Sequence, residues 1–211
     1  DSILGYLYLD TNKVFNNFDW SAYKTCDALC NLLYVLIENY HLKVTSSIDK
    51  LTNVFRRKYI EKTFNNELIK AEINHSQLSI VMCDIDKFKF VNDFYGHRKG
   101  DDVLRQVAEI LRCNVREGDL VGRYGGEEFI LILPRTNLTE ARTVCERLRK
   151  TIEDARLLGD DHAVTMSFGI AAYPDHGNTQ EELIEKADQA LYRAKETGRN
   201  QSVIWDKNIG S

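Results

Sequence analysis

Apolar residues along this chain fall into two alternating kinds of run. Leu78-Ser79-Ile80-Val81-Met82-Cys83 and Phe129-Ile130-Leu131-Ile132-Leu133 are short and apolar on both faces, as expected of strands covered on both sides. Residues 164–171 alternate and are rich in β-formers, predicting another central strand, and Val203-Ile204-Trp205 a short last one. Between these runs the spacing becomes helical. Val103, Leu104, Val107, Ile110 and Leu111 form the apolar face of a helix starting at Asp101-Asp102, and a second helix is expected over 139–153. Leu183, Ile184, Ala187, Ala190, Leu191 and Ala194 give a third helix, which stops at Gly198. Near the start, residues 3–9 read as a buried strand ended by Asp10-Thr11-Asn12. Residues 20–42 read as a long helix with Leu29, Leu32, Leu33, Leu36, Ile37 and Tyr40 at helical spacing and Asp19 or Ser21 as its cap. One strand and one helix cannot enclose a core, so a boundary is expected near residue 45.

The stretch that concentrates chemistry is Arg123-Tyr124-Gly125-Gly126-Glu127-Glu128-Phe129. Two glycines between apolar runs predict a two-residue hairpin, because primed turns need positive φ. A buried strand that opens on two carboxylates is costly unless a cation neutralises them, most simply a divalent metal. An exposed hairpin whose glutamates only keep it soluble fits this stretch equally well. Asp84-Ile85-Asp86 ends another buried run, where carboxylates and freed carbonyls make an oxygen-ligand site for Mg²⁺; one of these aspartates can instead cap the next helix. The segment 87–97 reads as a loop punctuated by Gly96 and Gly100. Its lysines suit phosphate, Asn92 can bond a base edge, and His97 is structural, with no His or Cys at ligand spacing. Asp101 can accept the two N–H groups of guanine's N1 and N2 edge, or simply cap its helix.

Composition removes several alternatives. The chain has 211 residues, is 43% hydrophobic and holds two prolines, which fits a packed globular protein. A net charge of −4 gives no basic field to recruit nucleic acid. The five cysteines lack CxxC spacing and read as reduced core residues of a cytoplasmic protein. No run approaches membrane-spanning length, and no signal peptide is expected.

"DIDKFKFVNDFYGHRKGDDVL", "RYGGEEF" and "ADQALYRAKETGRN", in that order and spacing, resemble the GGDEF domain of diguanylate cyclases in its GGEEF form, over about residues 47–205. The resemblance implies an α+β fold with a palm-like, mostly antiparallel central sheet flanked by helices, here preceded by a strand and a long helix. It implies condensation of two GTP molecules into cyclic di-GMP and two pyrophosphates, across a homodimer. Asp84, the Ile85 carbonyl and Glu127 then hold Mg²⁺ or Mn²⁺, with Glu128 as the second acid. Asn92 and Asp101 match the guanine-reading positions, and Phe88, Lys89, Lys195 and Arg199 the phosphate positions. Arg116 and Asp119 match the family's RxxD product-inhibition site, with Arg147 as a further contact. The family's usual "DxLTGLxNRR" reads here with Asn53 for Gly and Arg56 for Asn; Asn also tolerates left-handed backbone. Residues 1–45 resemble the C-terminal end of a GAF sensor domain plus a linker helix, and residues 46–211 form the GGDEF domain. The alternatives are a receptor that binds GTP or cyclic di-GMP without turnover, and a class III nucleotidyl cyclase.

Overall fold

The structure, a computed structural model, describes residues 20–159 and 162–208. The strand expected over 3–9, and with it residues 1–19 of the GAF-like segment, lies outside the described residues, as does the side chain of Tyr40. The chain divides into two compact units, 1–46 and 47–211. Helix α1 spans Trp20–Ser47, so the long helix runs through residues 43–47 as well. Leu29, Leu32, Leu33 and Leu36 on it are exposed.

In the second unit the elements follow as β1 (Phe55–Arg56), α2 (Arg57–Ile73), β2 (Leu78–Ile85), α3 (Phe88–Tyr95), α4 (His97–Cys113), β3 (Leu120–Arg123), β4 (Glu128–Pro134), α5 (Leu138–Asp154), β5 (Met166–Tyr173), α6 (Gln180–Glu196) and β6 (Ser202–Ile204). They build a six-stranded sheet in the order β1-β3-β4-β2-β5-β6, antiparallel except for the parallel β1–β3 and β5–β6 pairs. This is the α+β architecture expected. Runs apolar on both faces have a direct cause, because the sheet carries a core on each side. Val81, Cys83, Ile85, Phe129, Leu131 and Phe168 pack on α4 and α5, while Ile80, Met82, Ile130 and Ile132 pack with residues of α2 and α6.

Several local expectations change. Neither Gly125 nor Gly126 has positive φ, and four residues, 124–127, separate β3 from β4. The turn is held instead by the N–H groups of Tyr124 (2.8 Å) and Gly125 (3.2 Å), which donate to the Glu128 carbonyl. The segment 87–97 is not a loop: α3 forms because Phe88 and Val91, three apart, bury on one face, and Gly96 (φ 83°) breaks it from α4. Since α4 starts at His97, Asp101 lies inside the helix and caps nothing. Nor do Asp84 and Asp86 cap α3, whose N-cap is Lys87, without a side-chain bond. Only Cys83 and Cys145 are core residues, whereas Cys30 and Cys113 are exposed on helix faces. His97 is exposed. The acid at Asp49 and the basic cluster of residues 56–58 suit a helix start and a short turn. The helix, α2, begins at Arg57, and Ile60, Phe64, Leu68 and Ala71 supply its buried stripe. Asn53 adopts left-handed backbone (φ 55°), so the turn accepts Asn where the family has Gly.

Candidate functional site

The site forms where β2 ends and β4 begins. Antiparallel pairing sets Asp84 directly opposite Glu128, and the Ile85 N–H donates to the Glu127 carbonyl at 3.3 Å. Register alone thus brings Asp84 to an adjacent pair of acids 43 and 44 residues further along the chain. The Glu128 carboxylate lies over Gly125, so a Cβ there would make it swing aside. The corresponding face of Gly126 is open.

Helix α6 supplies the cation. A Cβ at Gly169 of β5 would collide with the backbone of Ala187 and Leu191, so glycine there lets α6 lie close on the sheet. The last turn of α6 then carries Lys195 to Asp84, Nζ to Oδ2 at 3.0 Å. Burial pushes the Asp84 carboxyl up to about 6; Lys195 pulls against the rise, and Glu127 and Glu128 add to it. One ammonium among three carboxylates leaves the mouth short of positive charge.

Asn92 on α3 and Asp101 on α4 flank Gly100, where any Cβ would meet the Asn92 amide oxygen. Asp101, the next residue of α4, is exposed. Phe88 is a core residue, 5% exposed, so what it offers a ligand is backbone, at the uncapped N-terminus of α3. Lys89 is exposed beside it. Lys87 and the exposed Arg199 line one cavity of about 570 Å³, with Asp86, Phe90, His162 and Asn200.

A second constellation lies away from this mouth. Arg116, Asp119 and Arg147 line one pocket of about 360 Å³, with Thr136, Glu140 and Thr143. Asp119 is nearly buried and pairs with Arg116 Nε at 3.1 Å, and it also accepts from the Arg116 N–H at 3.1 Å. Arg116 Nη2 donates to the Pro134 carbonyl and to Thr136 Oγ1, and Arg147 donates to the Asn114 carbonyl.

Two groups take tying roles that the sequence did not indicate. Arg123 donates twice to the Gly126 carbonyl (3.1 and 2.7 Å) and pairs with Asp49 at 3.1 Å, tying the start of the domain to the glycine loop. Asp49 also accepts from Thr52 N and Oγ1, a local spacing that was visible; Arg123, 74 residues away, gave no signal. Asp86, buried, accepts from Thr165 Oγ1 (2.8 Å), Ser167 Oγ (2.7 Å) and the Asn200 N–H (3.0 Å).

Comparison with known proteins gives the same outline. The family model "Diguanylate cyclase, GGDEF domain" matches residues 46–201. Diguanylate cyclase DosC of Escherichia coli (strain K12) is 38% identical over 165 residues, 77% of this chain and 36% of the relative. Diguanylate cyclase A of Treponema denticola is 33% identical over 98% of this chain and 57% of its own length. The crystal structure of the coiled coil and GGDEF domain of DgcB from Caulobacter crescentus, in complex with c-di-GMP, superposes with a TM-score of 0.76 at 28% identity. It covers 88% of this chain and all of that one. The chain spans about a third to three fifths of the length of these two cyclase relatives.

Proposed function

The chain belongs to the GGDEF-domain family of diguanylate cyclases, and from that premise we propose that it condenses two GTP molecules into cyclic di-GMP and two pyrophosphates. The observation that carries this reading is the mouth itself: Asp84 paired in register with Glu128, beside Glu127 and against Lys195. Asn92 and Asp101 read guanine, the Asp101 carboxylate accepting N–H groups that adenine lacks. The same acid favours cyclic di-GMP over a mixed guanine–adenine product. The N–H groups that open α3 at Phe88 and Lys89, the Lys89 ammonium, Lys195 and Arg199 hold the triphosphate.

The donor set fits a hard divalent cation. All the donors are oxygens (Asp84, Glu127 and the Ile85 carbonyl), and the acids there outnumber Lys195. Among the described residues no three ligating side chains form a ready-made cage. That suits Mg²⁺ or Mn²⁺, which take one or two carboxylates and complete their shell on phosphate. When bound, the ion stabilises charge on the α-phosphate and the departing pyrophosphate.

In each of the two condensations a 3′-oxygen attacks an α-phosphorus, the bond to the β-phosphate oxygen breaks, and pyrophosphate leaves. Glu128 accepts the 3′-hydroxyl proton. Each domain binds one GTP, so two domains must face each other as an isologous homodimer. The exposed Leu29, Leu33 and Leu36 stripe of α1 supports that assembly. Residues 1–45, read as a GAF-like segment with its linker, set how the two half-sites meet. Arg116, Asp119 and Arg147 bind cyclic di-GMP as inhibitor: Arg forks onto guanine or phosphate, and Asp takes guanine N–H groups. We place the protein in the cytoplasm; among the described residues no helix is long and apolar enough to cross a membrane.

Incubation with GTP and Mg²⁺ is expected to yield cyclic di-GMP and pyrophosphate in a 1:2 ratio. No product at any protein concentration, with an enforced dimer included, would defeat the reading. Binding of cyclic di-GMP without turnover would then favour the receptor. Consumption of ATP without preference for GTP would favour a class III cyclase.

A further inference from the structure

We propose that Arg149 and Asn200 are positioning residues for the triphosphate, holding Arg199 in the backbone conformation that aims it at the phosphates. The inference rests on the reading of Lys195 and Arg199 given above.

The chain leaves α6 through an unusual turn: Gly198, Arg199 and Asn200 have φ of 126°, 63° and 46°. Two consecutive side-chain-bearing residues in the left-handed region persist only where the surroundings hold them. Here the hold comes from α5. Asn200 Oδ1 accepts from Arg149 Nη1 at 3.0 Å, and Asn200 Nδ2 donates to Glu153 Oε1 at 2.9 Å. Arg149, 14% exposed, is itself fixed between Glu146 and Glu153, both at 2.9 Å. Glu146 in turn accepts from Ser202 Oγ at 2.6 Å, which fixes the chain two residues further on. The Asn200 N–H meanwhile donates to Asp86. Residues 200 and 202 are thus clamped to α5, and Arg199, immediately before them, is exposed and lines the cavity that Lys87 also lines.

A flexible Arg199 would still carry its charge but would lose entropy each time it met a triphosphate. A pre-set turn removes that cost before the ligand arrives. The half-buried Arg149 ties helix to turn; the ion-pair ring around it serves geometry more than net stability. None of these bonds involves Asp84, Glu127 or Glu128, so loosening the turn leaves the carboxylate mouth assembled.

The test uses the full chain with Arg149→Met, which keeps the length and removes the charge, and Asn200→Gly, which keeps left-handed freedom and removes both side-chain bonds. Binding of GTP and of GMP is measured, with steady-state kinetics alongside. Both variants are expected to bind GTP ~5–10-fold more weakly and GMP unchanged, with KM raised by the same factor and kcat within about twofold. Arg149→Lys should recover part of the affinity. A merely structural role predicts equal losses for GMP and GTP, and either that result or unchanged GTP binding overturns the proposal. If Arg149→Met does not fold, Asn200→Gly carries the test alone. Arg199→Ala is the reference variant. Unchanged GTP binding in Arg199→Ala sinks the phosphate reading of Arg199; lost binding there, with Arg149→Met and Asn200→Gly unaffected, sinks the positioning inference only.

Discussion

Asp84 and Asp86 stand two residues apart where β2 ends, one 7% and the other 8% exposed, and their surroundings differ in every other respect. Asp86 accepts from two hydroxyls and a backbone N–H, all between 2.7 and 3.0 Å, which joins the start of β5 and the turn after α6 to the end of β2. Asp84 meets one ammonium and two more acids, and its carboxyl is lifted to about 6. Burial therefore does not separate a structural acid from a chemical one. What separates them is whether the fold has finished satisfying the carboxylate. Asp86 is completed by hydrogen bonds inside the chain. Asp84 is under-compensated, and the deficit is what a divalent cation and a triphosphate would supply.

The largest effect that sharpens this contrast is expected at Glu128, the register partner of Asp84. Glu128→Gln should lower the turnover of GTP by ~10³-fold while GTP binding is retained, because the isostere keeps shape and loses the proton acceptor. Product formation close to that of the parent would take Glu128 out of the chemistry.

Next comes stability, where the two aspartates should part in sign. Asp86→Ala leaves Thr165, Ser167 and the Asn200 N–H without their acceptor, and is expected to cost about 2–4 kcal/mol in denaturant unfolding. Asp84→Asn removes an acid whose ionised form is disfavoured in the fold, so it should be neutral or stabilising at pH 7 in the presence of a chelator. Equal destabilisation by both substitutions would erase the distinction.

The pH dependence is smaller and its direction is fixed. The Asp84 carboxyl binds its proton more tightly in the folded state, at about 6, than at its ordinary 3.8. Its penalty is absent below pH ~4 and grows to at most about 3 kcal/mol above pH ~7. Metal-free protein should therefore lose stability as pH rises through this window, and Asp84→Asn should flatten the profile. Added Mg²⁺ should offset the loss in the parent. A parent profile that climbs between pH 4 and 7, with the variant following it, would contradict the assignment.

The smallest expected effect lies at the second pocket, where Asp119 is already paired inside the chain. Arg116→Ala should shift inhibition by added cyclic di-GMP to ~10-fold higher concentration with little change in the uninhibited rate. An unshifted inhibition curve would discard Arg116 from product binding.

Much of this was legible in the residues themselves. Runs apolar on both faces predicted β2 and β4 because period-2 side chains must enter two cores, and helical spacing predicted the body of α4, α5 and α6. Local rules failed where packing overrides them. Gly125-Gly126 suggested a primed hairpin, but neither backbone is left-handed, and the Glu128 carboxylate folds back over Gly125 instead. Residues 88–95 read as a loop because Phe90 and Phe94, which stay exposed, blur the helical spacing of Phe88, Val91 and Tyr95, and only packing on the core shows which face is buried.

The sequence by itself settled which side chains are available: the acids, the amide, the two cations and the Arg-x-x-Asp pair, with the order of elements that carry them. Identity and local periodicity are written in neighbouring residues. Only the tertiary structure decided which of them meet. Pairing register put Asp84 opposite Glu128, a glycine on β5 let α6 bring Lys195 to within 3.0 Å of Asp84, and Arg123 joined Asp49 to the glycine loop across 74 residues. Those outcomes depend on strand register, helix–sheet distance and the completion of buried hydrogen bonds, which belong to the packed whole and leave no trace in any local stretch.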